Sequence, residues 1–154
     1  YLYKQYTKER KLFLNKNNRK LEYDSENLMY TLLEEILKND DYKMLDFVCH
    51  FPVNMLIKNP YLLNDDECLY AMNPATHVDF LVYNRISKRA ILAIEVDGYA
   101  FHQKETAQAK RDLLKNHIFE LYYIPLLRFS TTGSGEREKI INMLNKILNI
   151  GDLK

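Results

Sequence analysis

Apolar and polar residues recur along this chain with two different periods, and the switches between them mark out the elements. In SENLMYTLLEEILKND, residues 25–40, the apolar positions Leu28, Met29, Leu32, Leu33, Ile36 and Leu37 fall at helical spacing. The spacing predicts an amphipathic helix with Ser25 as its N-cap and Glu26 at the positive end of its dipole. Asn39-Asp40-Asp41 ends it. LDFVCHF, residues 45–51, changes to period two, with Leu45, Phe47, Cys49 and Phe51 on one face and Asp46, Val48 and His50 on the other. That is a strand, stopped by Pro52. NMLI and NDDECLYAM predict two short helical pieces, the second opened by Asn64, and Asn73-Pro74 predicts a turn.

HVDFLVYN, residues 77–84, reads as a second strand, and residues 85–88 as a hairpin-like connection. RAILAIEVDG, residues 89–98, is nearly all apolar, which predicts a central strand covered on both faces. Residues 103–123 read as a long helix and PLLRF, residues 125–129, as a fourth strand. In the Gly/Ser loop TTGSGE, Ser134 would cap a last helix carrying Ile140, Ile141, Leu144, Ile147 and Leu148. The order is helix, strand, strand, strand, helix, strand, helix. It predicts an α/β class with a mixed four-stranded sheet flanked by helices.

Composition narrows the class. With 154 residues, 47% hydrophobic and 28% charged, the chain can bury a core and is not a disordered segment. A net charge of +1 excludes a global basic field. The basic residues gather locally in KQYTKERKLFLNKNNRK, so residues 1–24 read as a basic extension or connector and residues 25–150 as the domain. Cys49 and Cys68 sit among apolar residues without metal-type spacing, and read as core thiols in a reducing cytoplasm. No secretory signal or long apolar run occurs. The chain begins at Tyr1 rather than Met, which reads as a domain of a longer protein.

The stretch IEVDGYAFH, residues 94–102, carries the candidate chemistry. Strand parity puts Glu95 and Asp97 on one face. Val78, Phe80 and Val82 share a face of the preceding strand and leave Asp79 on the other. If the two strands pair through the short connection, Asp79 lies beside Glu95. Two carboxylate charges ~4 Å apart repel by about 4 kcal/mol at an effective dielectric of ~20. A proton, a basic side chain or a divalent cation must offset that, and an oxygen-only donor set suits Mg²⁺ or Mn²⁺. Taken singly, each acid also has a structural explanation: Asp79 capping a turn, and Glu95 or Asp97 pairing with Arg111 or Lys115. Gly98 permits a tight turn that brings His102 near a metal-bound water. On the following helix Ala107, Leu114, Ile118 and Leu121 form the inward stripe, and Arg111 falls on it. Asp112 and Lys115 lie on an adjacent face. Arg111 or Lys115 would steady phosphate charge; alternatively Arg111 and Asp112 hold the helix to the sheet. His50, His77 and His117 read as ordinary histidines, although His77 shares a face with Asp79.

The path VDF…AIEVDGYAFH…RDLLKNHI…IPLLRF resembles the PD-(D/E)xK nuclease superfamily. Within it the path is similar to the very-short-patch-repair-like endonuclease branch, in the form found at the C-terminal end of some superfamily I DNA helicases. The resemblance implies a restriction-endonuclease-like core and Mg²⁺- or Mn²⁺-dependent cleavage of DNA, next to helicase or other DNA-processing domains. Asp79 would match the first metal-binding aspartate, Glu95 the second acidic ligand, His102 the branch's histidine, and Glu26 a first-helix acid near the site. Asp97, a metal ligand directly or through water, stands where the wider superfamily usually has a lysine, while the DG…H form looks typical of the repair-like branch. Lys104, Arg111 and Lys115 would contact phosphate, with Gly98 and Asp112 in support. The rivals are a degenerate nuclease fold that binds DNA or positions a partner, and a purely structural interaction domain. A dinucleotide-binding fold is a poor reading, because no GxGxxG follows a strand.

Overall fold

Three hydrophobic runs pair into an antiparallel meander, and a fourth joins it in parallel. The computed structural model describes Gln5, Lys8 and residues 24–97, 107–130 and 135–150. Helix α1 (Asp24–Ile36) precedes β1 (Leu45–Pro52); α2 (Asp65–Met72) leads into the hairpin of β2 (His77–Asn84) and β3 (Ala90–Asp97). Helix α3 (Ala107–Leu121) then crosses over to β4 (Leu126–Ser130), and α4 (Glu136–Leu148) follows. The strand order is β1-β2-β3-β4, antiparallel except for the β3–β4 pair. This is the expected α/β class: a mixed four-stranded sheet flanked, among the described residues, by four helices and compatible with a restriction-endonuclease-like core.

Helices cover both faces of the sheet. On one, Met29, Leu33 and Ile36 of α1 and Ile140 and Leu144 of α4 pack on Phe47, Phe80, Val82, Leu92, Ile94 and Phe129. On the other, Ala71 of α2 and Ile118 and Phe119 of α3 pack on Val48, Leu81 and Ala93. Each fully buried Leu, Ile or Phe contributes about 1.5–3 kcal/mol by leaving water. Residues 91–96 of β3 are all buried, as its unbroken apolar run predicts for a central strand.

The local signals hold where capping chemistry is explicit. Asn64 opens α2 with a capping box: its side chain accepts from Glu67 N at 2.8 Å, and Glu67 Oε1 accepts from Asn64 N at 2.9 Å. Cys49 and Cys68 are free thiols. No described helix is long and apolar enough to cross a membrane.

Four readings need correction. Helix α1 starts at Asp24, so Ser25 is in its first turn, not at its cap, and Leu28 is exposed, outside the stripe. The parity of β1 breaks at His50, whose φ of 51° turns the strand. Phe51 therefore joins Val48 on the α2–α3 face, away from Phe47, and its partner Val78 leaves Phe80 and Val82 in the same way. The residue at the N-cap of α4 is Gly135, with φ 79° and no capping side chain; Ser134 lies outside the described residues. The inward face of α3 is made by Lys115, Ile118 and Phe119, while Ala107 and Arg111 are exposed.

Candidate active site

The β2–β3 register places the acids. Phe80 pairs with Ile94, so one step further Asp79 stands opposite Glu95. There each carboxylate takes a backbone N–H of the other strand: Asp79 N donates to Glu95 Oε2 at 3.2 Å, and Val96 N to Asp79 Oδ2 at 2.7 Å. Side-chain oxygens stand in for ladder carbonyls, and the two acids are locked side by side where the strands part.

The third member comes from α3. Lys115 precedes Ile118 and Phe119 by one helical turn, so it points inward with them at the end nearest the acids. Its buried ammonium pairs with Glu95 Oε1 and donates to His77 O at 2.8 Å. The charge of Lys115 also reaches the Tyr70 hydroxyl of α2. An ammonium has three donors, and Glu95 and His77 engage two of them. The Glu95–Lys115 pairing is the one that sequence considered for Glu95 alone.

A second row of groups lies against Asp79. Glu26, in the first turn of α1, is buried. His50 Nε2 approaches its Oε1 to 3.0 Å without a hydrogen bond forming. The His50 and His77 rings pack at a tilt of 43° with centroids 4.9 Å apart, and His77 Nε2 is 3.8 Å from Asp79 Oδ1. Sequence reasoning passed over both histidines. The shared face of His77 and Asp79 was a usable signal; nothing local marks His50, whose turned backbone delivers it.

Electrostatics mark the pair as strained. Burial pushes the Asp79 carboxyl above its ordinary range, against the Val96 N–H and a Glu95 hydrogen bond, and the charge of Glu26 adds to the rise. Burial likewise raises Glu95; Lys115 opposes this, and Asp79 reinforces it. Two buried glutamates, Glu26 and Glu95, thus flank the half-buried Asp79, and the buried ammonium of Lys115 pairs with Glu95.

The remaining expected residues divide. Asp112 does hold α3 to the sheet: Arg128 Nη1 of β4 lies 3.4 Å from its Oδ1, and the same guanidinium bonds Asn116 Oδ1. Arg111 does not share that role, because it is exposed and donates to Gln108 Oε1 of its own helix. The backbone of Asp97 ends β3 opposite Ser130, and its side chain lies outside the described residues, as do Gly98, His102 and Lys104.

An oxygen pair of this kind suits a hard cation, since Mg²⁺ takes one or two carboxylates and completes its shell with water and phosphate oxygens. Glu26 Oε1 is a further buried oxygen with no hydrogen-bond partner. Among the described residues no three His, Cys, Asp or Glu side chains form a metal-holding group, so the arrangement is an open pair, not a cage.

Residues 18–147 match a family described as protein of unknown function (DUF2726). The chain belongs to this family. The match takes in the whole cluster described above, from Glu26 on α1 to Lys115 on α3, together with β4 and nearly all of α4. No curated protein and no solved structure matches the chain.

Proposed function

We propose that this domain is a Mg²⁺- or Mn²⁺-dependent DNA endonuclease of the PD-(D/E)xK superfamily, close to the very-short-patch-repair-like branch. The observation that supports it is one juxtaposition. Two carboxylates on neighbouring strands, the buried Glu95 and the half-buried Asp79, lie side by side, with the buried Lys115 paired to Glu95. The lysine that position 97 lacks is supplied from a helix.

Phosphodiester hydrolysis needs a water aimed at phosphorus, charge to neutralise the phosphate, and a proton for the leaving oxygen. Asp79 and Glu95 hold the divalent cation, with Asp97 as a third oxygen donor; when bound it polarises the phosphate and acidifies a water. Lys115 fixes Glu95 and orients the attacking water. His102 passes the proton to the leaving oxygen, and Lys104 and Arg111 contact neighbouring phosphates. Glu26 backs Asp79, Gly98 lets the chain turn toward His102, and Asp112 anchors α3 through Arg128. In this reading the domain works in the cytoplasm as part of a helicase or other DNA-processing protein.

One observation favours a second reading. Lys115 already neutralises Glu95 and uses two of its donors within the protein, which suits a degenerate nuclease fold that only binds DNA or positions a partner.

Cleavage of supercoiled and single-stranded DNA with Mg²⁺ or Mn²⁺ tests both. The expected result is cleavage by the wild type and a loss of about a thousandfold in Glu95→Ala, the scale of removing a transition-state electrostatic group. Undiminished cleavage by Glu95→Ala overturns the assignment. Salt-sensitive DNA binding with no cleavage by the wild type establishes the second reading.

A further inference from the structure

The ring of His77 is oriented by the turn before it. Asn73 Oδ1 accepts from Ala75 N at 2.9 Å and fixes the Asn73-Pro74 turn, and His77 Nδ1 lies 3.1 Å from Ala75 O. A carbonyl oxygen only accepts, so Nδ1 carries the hydrogen and the ring's remaining nitrogen, Nε2, is the one left to bind. That nitrogen faces Asp79 Oδ1 across 3.8 Å. Asp79 Oδ2 is occupied by Val96 N–H, so Oδ1 is the oxygen turned toward the ring.

A gap of 3.8 Å is too long for a hydrogen bond. It suits one ion between two donors, because bonds of about 2.0–2.2 Å to each allow a separation of up to ~4.4 Å. Histidines that bind metals generally donate their other ring N–H to a backbone carbonyl or carboxylate, which sets the ring angle in advance. His77 has that partner in Ala75 O, and the His50 ring packs against it at a tilt. Beside this pair lies the Glu26 carboxylate, on a side chain only 7% exposed, whose Oε1 makes no hydrogen bond and lies 3.0 Å from His50 Nε2. Its negative charge adds to that of Asp79 and favours a cation beside the two.

We infer that His77 Nε2 is a nitrogen ligand to the divalent cation held by Asp79, so that the site prefers Mn²⁺ to Mg²⁺. This rests on the cation-site part of the proposed function and goes beyond it in ligand and metal. Mg²⁺ favours an all-oxygen shell, whereas an imidazole moves selectivity toward first-row transition ions. His77 Nε2 joins the carboxylates of that site and leaves the remaining positions to water and a phosphate oxygen.

The test is direct Mn²⁺ binding to the metal-free protein, read as loss of the free-ion electron paramagnetic resonance signal, with Mg²⁺ measured by displacement. His77→Ala keeps the backbone carbonyl that Lys115 uses, and its folding is checked by thermal melting. The expected result is Mn²⁺ affinity weakened about tenfold or more in His77→Ala with Mg²⁺ affinity little changed, and both weakened in Asp79→Asn. Wild-type Mn²⁺ affinity in His77→Ala, with binding still lost in Asp79→Asn, overturns the inference and leaves the carboxylate site standing. Absence of Mn²⁺ binding by the wild type, or binding undisturbed by Asp79→Asn, overturns the cation site with it.

Discussion

Two glutamates, Glu67 and Glu95, are buried in the same protein, each against a base from α3, and their environments push them in opposite directions. Glu67 pairs with His117 and completes the capping box of α2, and although burial opposes ionisation, the Asn64 N–H and His117 hold its carboxyl below the ordinary range. Glu95 has the stronger partner in Lys115, yet burial and the neighbouring Asp79 carry it above that range. The difference is the second acid. Glu67 is surrounded by donors, whereas Glu95 shares its space with another carboxylate. A carboxylate ringed by donors is satisfied; one crowded by a second acid is held against its own preference.

The largest expected effect comes from removing the base from the strained pair. Lys115→Met leaves Glu95 buried opposite Asp79 with no cation. Breaking one side of a buried pair typically costs about 3–5 kcal/mol. Uptake of a proton by Glu95 limits the loss here to about 2–3 kcal/mol near neutral pH. Denaturant unfolding would measure it. The double variant Glu95→Gln/Lys115→Met should recover most of the loss, since no charge is then stranded. A Lys115→Met protein as stable as the wild type would mean that Lys115 does not hold the pair together.

Much of this contrast is legible in the chain itself. The apolar run of β3 marks a central strand, parity puts Asp79 and Glu95 on facing positions, and Asn64…Glu67 is a capping box by spacing alone. The inward role of Lys115 is not legible in the same way. Leu114, Ile118 and Leu121 define one stripe on α3, while Lys115, Ile118 and Phe119 define another that overlaps it. The burial of Phe119 against the sheet chooses between them, and that is a tertiary event. His50 is hidden for a related reason: period two was read straight through it, and only its left-handed backbone sends Phe51 to the opposite face. Histidine adopts that conformation more readily than most residues, but sequence does not demand it.

The pH dependence of the two environments should differ in sign. Glu67, with its carboxyl held low, contributes stability that is present above about pH 4.3 and lost as pH falls through its folded value. Asp79 and Glu95, with theirs held high, contribute stability that is full below about pH 4 and lost as pH rises through their folded values. In metal-free buffer at pH 7, Asp79→Asn should therefore melt higher than the wild type by about 2–4 °C, roughly 1 kcal/mol, with the gap closing toward pH 4. Its amide oxygen still accepts from Val96 N. Glu67→Ala should melt lower by about 2–6 °C at pH 7 through loss of the cap, and its deficit should shrink below pH 4. Thermal melts across this range read both. An Asp79→Asn variant less stable than the wild type at pH 7 would remove the distinction between the two carboxylates.

The smallest effect sharpens the comparison most, because it repeats the base-removing experiment on the satisfied carboxylate. His117→Gln takes the ring from Glu67, but Glu67 Oε1 keeps the Asn64 N–H and the capping box persists. The ring is also half exposed, so water replaces what it gave. The expected loss is about 0.5 kcal/mol or less, in the range of exposed pairs and several times below that of Lys115→Met. Denaturant midpoints measured side by side on the two variants decide it. A loss as large for His117→Gln as for Lys115→Met would mean that Glu67, like Glu95, depends on its base rather than on its backbone donor.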